Sequence, residues 1–66
     1  MDMPLPNVVS KFVDPKRKTT LLVYAYREVT PQEAKVLWAN WCAANPKKAL
    51  RPPKVVRLRS MLGAVQ

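Results

Sequence analysis

Apolar and polar residues follow patterns along this chain that predict three strands and one helix. Residues 8–13 form a short segment that is rich in β-branched side chains, which favours a strand. Residues 19–29 give the strongest strand signal, because β-branched and aromatic residues fill this segment without a proline or glycine. Between the two segments, Asp14 and Pro15 suit the first two positions of a turn. The two strands are therefore expected to form a hairpin.

A helix is predicted after the second strand, and it begins at a capping sequence. Thr30 can cap the helix, Pro31 fits its first position, and Glu33 can reach back to the cap amide. Apolar residues then recur three and four positions apart on one face, which we expect to be buried against the sheet: Ala34, Leu37, Trp38, Trp41 and Cys42. Asn45 followed by Pro46 predicts that the helix ends there.

One more strand is expected after the helix. Residues 47–53 are basic and carry prolines, which favours an extended connection without regular pairing. Residues 54–60 alternate between apolar and polar side chains and predict the third strand. Residues 1–7 and 63–66 lack such patterns, so we expect them to be tails, the first one flexible, of a single domain that spans residues 8–62.

The order of these elements predicts an α+β fold, a small β-β-α-β domain with a three-stranded sheet and one helix packed on one face. A right-handed crossover through the helix would place the third strand parallel to the second. The third strand would lie either directly beside the second or with the first strand between them, and the sequence leaves both orders open. In either order, one helix covers only one face of the sheet.

The alternation assigns strand residues to the two faces. The aliphatic set expected to pack on the helix is Leu21, Val23, Ala25, Val56 and Leu58. The opposite face would carry Leu22, Tyr24, Tyr26, Val55, Arg57 and Arg59. Tyrosines beside arginines on an exposed sheet suit stacking on bases and contact with phosphates. They would also suit packing across the sheet or coverage by a second copy of the chain, so the face also allows a homodimer, whichever partner the protein binds.

The charge of the chain narrows the choice of partner. Twelve Lys or Arg residues, four acids and no histidine give the 66 residues a net charge of +8. Most of the basic residues gather in three clusters: Lys16, Arg17 and Lys18; Lys47, Lys48 and Arg51; Lys54, Arg57 and Arg59. A single cluster is usual in a solvated loop that keeps a protein soluble. An imbalance of this size exceeds that need and favours a polyanion or an acidic protein surface as partner.

The same composition argues against catalysis, metal binding and insertion into a membrane. Four scattered acids without a histidine or a second cysteine offer little for acid–base catalysis or for a metal cluster, and Gly63 as the only glycine excludes a glycine-rich phosphate loop. Cys42 has no second cysteine to pair with, which favours a reducing compartment. The N-terminal sequence lacks the pattern of a signal peptide, and no apolar run approaches about 20 residues. We therefore expect a cytoplasmic, non-enzymatic protein without a cofactor.

In size, charge and β-β-α-β layout the chain resembles the compact proteins that phages and other mobile elements encode to bind or inhibit host machinery. Anti-CRISPR proteins and phage inhibitors of RNA polymerase are of this kind. The resemblance includes no shared residue motif and assigns no role to any residue. Our leading hypothesis is a small basic protein that binds nucleic acid, DNA or RNA, through its basic and aromatic sheet face and loops. The alternative is an inhibitor that binds a nucleic-acid-handling host protein complex through its cationic surface.

Overall fold

In the computed structural model, which describes residues 5–64, three strands form one sheet and a long helix packs on one of its faces. The elements are β1 (Val8–Asp14), β2 (Thr19–Ala25), α1 (Pro31–Ala44), the short α2 (Pro46–Leu50) and β3 (Val55–Arg59). β2 is central, antiparallel to β1 and parallel to β3, so the strand order is β1-β2-β3. The predicted α+β fold is confirmed, and the third strand lies directly beside the second. Parts of both predicted tails, residues 1–4 and 65–66, lie outside the described residues.

The predicted hairpin forms around a turn at residues 15–18. Oδ1 of Asp14 accepts hydrogen bonds from the backbone amides of Lys16 and Arg17 at 3.1 and 3.3 Å. An aspartate side chain that bonds the amides after it favours a turn at this position. Lys18 completes the reversal with a φ of 53°, in the left-handed region. Asp14 and Thr19 thereby become the last pair of the ladder.

The hydrophobic core lies between the sheet and α1. Its buried members are Leu21, Val23, Ala25, Val29, Ala34 and Val56. Half-buried Leu58 packs against them. These residues include all those that the alternation assigned to the helix-facing side, so the predicted division of the sheet into two faces is confirmed.

α1 begins and ends where the sequence predicts. Oγ1 of Thr30 accepts a hydrogen bond from the Glu33 amide at 3.2 Å, and Oε1 of Glu33 accepts one from the Thr30 amide at 3.1 Å. This reciprocal capping box satisfies two amides that the helix itself leaves unpaired. At the other end, the Asn45 amide donates to the carbonyl oxygen of Trp41 at 2.9 Å.

α2 corrects the prediction of an extended connection over residues 47–53. Pro46 occupies the first helical position, where its missing amide costs nothing, and the following Lys-Lys-Ala-Leu are good helix formers. The Ala49 amide donates to the Asn45 carbonyl oxygen at 2.9 Å. The helix stops because Pro52 disfavours the helical conformation at Arg51. Neither helix of residues 5–64 has the length and apolarity needed to cross a membrane.

β2 is shorter than predicted, because it ends at Ala25 and not at residue 29. The chain bends at Tyr26, and Val29 is buried in the core, with its amide donating to Oγ of Ser10 in β1 at 3.1 Å. The β-branched side chain of Val29 therefore packs into the core from the loop after β2, and the residue does not pair in the sheet. Strand propensity alone cannot separate these two uses.

The two tryptophans lie on the predicted face of α1 but at the margin of the core. Both are half-buried, and so is Cys42, where the sequence predicts full burial. The indole rings of Trp38 and Trp41 are stacked, with centroids 5.1 Å apart and planes inclined by 7°. Nε1 of Trp38 donates to Oδ2 of Asp14 at 2.9 Å. The aromatic face of α1 therefore contacts the hairpin turn as well as the sheet.

Candidate nucleic-acid interface

The sheet face opposite α1 carries nine side chains, which we call the open face. They form three rows across the strands, as the pairing register gives them: Val13, Thr20 and Val55; Lys11, Leu22 and Arg57; Val9, Tyr24 and Arg59. The first row is nearest the hairpin turn, and the row with Tyr24 is farthest from it. The open face is therefore apolar near the turn and carries its cations towards the other end.

The open face combines exposed cations with exposed apolar area. Lys11, Arg57 and Arg59 are all exposed, and the valines at positions 9 and 13 expose 51% and 62% of their surface. Leu22 and Tyr24 are half-buried between the outer strands. Within residues 5–64, the two ion pairs join Asp14 to Arg17 and Glu33 to Arg27, so no acid neutralises the open face.

The register refines the predicted juxtaposition of tyrosines and arginines. Tyr24 is paired with Arg59, whereas Arg57 lies opposite Leu22 and not opposite a tyrosine. Tyr26 follows the last residue of β2, and its amide donates to the carbonyl oxygen of Leu62 at 3.0 Å. The structure thus brings Tyr24 together with both arginines and places Tyr26 beyond the end of the ladder.

Lys11 belongs to this face although it lies outside the three basic clusters of the sequence. It lies opposite Leu22, which places it in one row with Arg57. The signal that identifies it is the hairpin register: once the turn is confined to residues 15–18, Lys11 must face Leu22. The alternation in β1 is uninformative, since apolar residues occupy both of its faces.

A groove of about 380 Å³ lies at the end of the open face that is far from the turn. Its lining consists of Leu5, Pro6, Tyr24, Arg57 and Arg59. Leu5 and Pro6 precede β1, whereas the arginines belong to β3, two strands away. The segment before β1 must therefore lie over the open face to share a groove with them. The sequence predicts that these two residues belong to a tail.

In the first basic cluster, at the hairpin turn, two side chains are exposed to solvent and the third contacts residues on the helix side. Lys16 and Lys18 are exposed. Arg17 donates to Oδ2 of Asp14 at 3.2 Å, and its Cζ lies 5.9 Å from the centroid of the Trp38 ring. Partial burial raises the pKa of Asp14, but the hydrogen bonds from Arg17, Trp38 and the Lys16 amide outweigh it and hold the pKa below its usual value. Arg17 is thus directed to the helix side by an ionised partner.

The second cluster is exposed on and after α2, as Lys47, Lys48 and Arg51. The chain then reaches the sheet beside the hairpin turn, where the amide of Thr20 donates to the carbonyl oxygen of Lys54 at 2.8 Å. Lys54 and the turn therefore share one end of the sheet. Two groups of cations are therefore defined by the sheet: Lys11, Arg57 and Arg59 on the open face, and Lys16, Lys18 and Lys54 at the hairpin end.

A second groove, of about 370 Å³, opens on the helix side between β1 and α1. Phe12, Ala34 and Trp38 are among the mostly apolar residues that line it. Because the helix does not close fully on β1 here, Trp38 stays half-buried. This groove is separate from the exposed cations of the open face.

Comparison of the chain with protein-family models, with curated proteins and with solved structures finds no significant match. The functional assignment therefore rests on the geometry and charge of this chain.

Proposed function

We propose that this protein binds nucleic acid through the open face of its sheet. The observation that carries the proposal is the placement of Tyr24 beside Arg59 and Arg57, with Lys11 completing the middle row. Aromatic rings can stack on bases, and exposed guanidinium and ammonium groups can contact phosphates. The open face offers both kinds of group on one surface that α1 leaves uncovered.

The charge balance supports a polyanionic partner. Of the basic side chains in residues 5–64, Arg17 and Arg27 are held in ion pairs, and the other ten carry a charge that no acid of this range neutralises. The excess of cations raises the local concentration of polyanions near the surface and accelerates their association. The cations of the hairpin end, among them Lys16, Lys18 and Lys54, would add contacts to a strand that continues beyond the open face.

The proposed activity is binding without catalysis or a cofactor. It includes a cytoplasmic location, where nucleic acid is accessible and the half-buried Cys42 stays reduced. It also requires the open face to be free, so a second copy of the chain bound there would compete with nucleic acid.

The test is fluorescence anisotropy of labelled single-stranded and double-stranded DNA and RNA of mixed sequence, titrated with the protein over a series of salt concentrations. We expect binding that weakens steeply with salt, because each neutralised phosphate contributes about 0.7–0.9 to the slope of log K against log salt. Arg57→Ala and Arg59→Ala should each weaken binding, and each should reduce the magnitude of that slope by the contribution of about one phosphate.

Lys35→Ala is the matched control, because Lys35 is exposed on α1, on the other side of the sheet, and its loss removes the same charge. Its salt slope should equal that of the wild type. If the protein binds none of the probes at low salt, the proposal is wrong. Capture of a protein complex from nuclease-treated lysate in that case would favour the alternative of an inhibitor that binds a host protein.

A further inference from the structure

We propose that the open face binds single-stranded nucleic acid more tightly than a duplex and seats one unpaired base on Tyr24, in the groove beneath the segment before β1. This inference rests on the proposed function and specifies the form of nucleic acid that the same site accepts. It adds Leu5 and Pro6 to the site, two residues without charge.

The groove has the size and position of a site for one base. At about 380 Å³ it falls at the lower end of the range of ordinary ligand pockets, about 300–1,000 Å³. Tyr24 comes from the central strand, whereas the arginines come from the edge strand β3 and Leu5 from the segment above. A planar ring entering this groove meets an aromatic side chain, an aliphatic wall and a cationic wall.

The chemistry of the walls matches the parts of a nucleotide. The ring of Tyr24 can stack on a base of any sequence, because every base has a π face. Pro6 and Leu5 supply apolar contact around the base. Arg59 is paired with Tyr24, and Arg57 lies two residues earlier on the same strand, about 7 Å away along β3. The two guanidinium groups are thus placed to contact the phosphates that flank the seated base.

A duplex cannot use this groove. In a double helix the ring faces of the bases are stacked on one another, and only their edges are accessible in the grooves. Tyr24 would then have no ring face to contact. An unpaired base can turn out of its strand and stack on an aromatic side chain, which is the usual mode of recognition for single-stranded regions. The open face should therefore bind a duplex through phosphates only and a single strand through phosphates and one base.

The experiment compares three probes of equal length and label: an oligothymidylate strand, a strand of abasic sites with the same phosphates, and a duplex. The wild type should bind the oligothymidylate most tightly. Tyr24→Leu, which keeps an apolar side chain at this half-buried position, should weaken that binding by about 5- to 150-fold with an unchanged salt slope. It should leave binding to the abasic strand unchanged. Phe12→Leu is the matched control, because Phe12 is a half-buried aromatic residue that packs on the helix side of the sheet and lies outside the groove lining.

A second measurement uses the unmodified protein and is independent of how the variants fold. Irradiation of a complex with an iodouracil-substituted strand should cross-link the base to Tyr24, and peptide mass spectrometry should locate the adduct there. Cross-links confined to the hairpin end would overturn the inference.

The outcomes separate this inference from the proposed function. Equal affinity of the wild type for all three probes would refute the base site and leave nucleic-acid binding in place. Failure to bind any of them would refute both. Tighter binding of the duplex than of the oligothymidylate would show that the open face reads double-stranded nucleic acid and would overturn the inference alone.

Discussion

At the scale of single residues, two carboxylates of residues 5–64, those of Glu33 and Asp14, each accept four hydrogen bonds. Glu33 is the one at the start of α1. Its Oε1 accepts from the amide and the hydroxyl of Thr30, and its two carboxylate oxygens accept from Arg27 at 2.9 and 2.6 Å. One carboxylate thereby joins the loop after β2 to the first turn of α1. The hydrogen bonds from Arg27, followed by the one from the Thr30 amide, lower the pKa of Glu33 from 4.5 to about 2.

Acid should destabilise the protein through this carboxylate. Because the pKa of Glu33 is lower in the folded than in the unfolded chain, its contribution is fully present above about pH 4.5 and is lost as the pH falls towards 2. We expect the urea midpoint of the wild type to fall over this range. Glu33→Gln should give a flatter profile, whose remaining slope includes Asp14, whose pKa is lowered as well.

Glu28→Gln is the control for that experiment, since Glu28 is exposed and takes no part in the ion pairs of residues 5–64. Its profile should follow the wild type. A Glu33→Gln profile as steep as that of the wild type would assign the acid sensitivity to other carboxylates.

Gly63 should tolerate no side chain. Its φ of +79° lies in the left-handed region, and a Cβ placed there would come within 2.6 Å of Cγ of Arg27. Gly63→Ala should therefore lower the free energy of unfolding by at least about 1–2 kcal/mol, the cost of a left-handed L-residue, with a further loss from the displaced Arg27. Urea denaturation followed by circular dichroism measures the change. An unchanged midpoint would mean that the turn after β3 contributes nothing to stability.

At the scale of elements, the side chain of Asp14 joins the hairpin turn to α1. Asp14, the last residue of β1, receives hydrogen bonds from the Trp38 indole and the Arg17 guanidinium on the same carboxylate oxygen. Its other oxygen holds the turn amides. The turn conformation and the helix position are therefore stabilised by one side chain, and loss of a partner at either place affects both.

Trp38→Phe tests this coupling. The variant keeps an aromatic ring but loses the hydrogen bond from Nε1, so it should lower the free energy of unfolding by about 1–2 kcal/mol. Trp41→Phe makes the same change in volume and in stacked ring area but removes no hydrogen bond to Asp14, so its effect should be smaller. Equal losses in the two variants would show that packing, and not the bond to Asp14, accounts for the effect.

Local patterns predicted most of the elements correctly. The capping box at Thr30 and the alternation of β2 and β3 depend on neighbouring residues only, and the structure has the start of α1 and both sheet faces as predicted. The sequence does not predict α2, because Pro46 and Pro52 favour an extended segment more strongly than the residues between them favour a helix. A proline at the first position and one just after the last allow a short helix.

The candidate site was predicted in part. Tyr24, Arg57 and Arg59 were placed on one face by the period of two, and they do share it. Leu5 and Lys11 were not found, because their positions depend on pairing and on chain path across strands that are distant in sequence. The sequence groups Arg17 with Lys16 and Lys18, whereas its orientation in the structure is set by Asp14 and by Trp38 on α1.

At the scale of the whole molecule, a net charge of +8 on 66 residues sets up repulsion that the fold must overcome. Two ion pairs in residues 5–64 offset little of it, since exposed pairs contribute about 0–1 kcal/mol each. Six of the surplus cations lie in two groups: Lys11, Arg57 and Arg59 on the open face, and Lys16, Lys18 and Lys54 at the hairpin end. Repulsion within each group is screened by salt, as is attraction to any polyanion.

Salt should therefore change stability and binding in opposite directions. Between about 0.01 M and about 0.15 M ionic strength the screening length falls from about 30 Å to about 8 Å. The melting temperature of the free protein should rise over this range, because self-repulsion is reduced. Over the same range, affinity for nucleic acid should fall. A melting temperature that falls with salt would show that ion pairs outweigh repulsion in the folded state.

The stacked indoles of Trp38 and Trp41 have an optical consequence. They lie on the side of the sheet that carries α1, so a base bound at Tyr24 on the other side cannot reach them. Their fluorescence should change when the helix separates from the hairpin turn and stay constant when the open face is filled. Indole emission from an unlabelled sample therefore monitors integrity of the fold, while a dye on the oligonucleotide monitors occupancy, and the two signals can be followed in one cuvette.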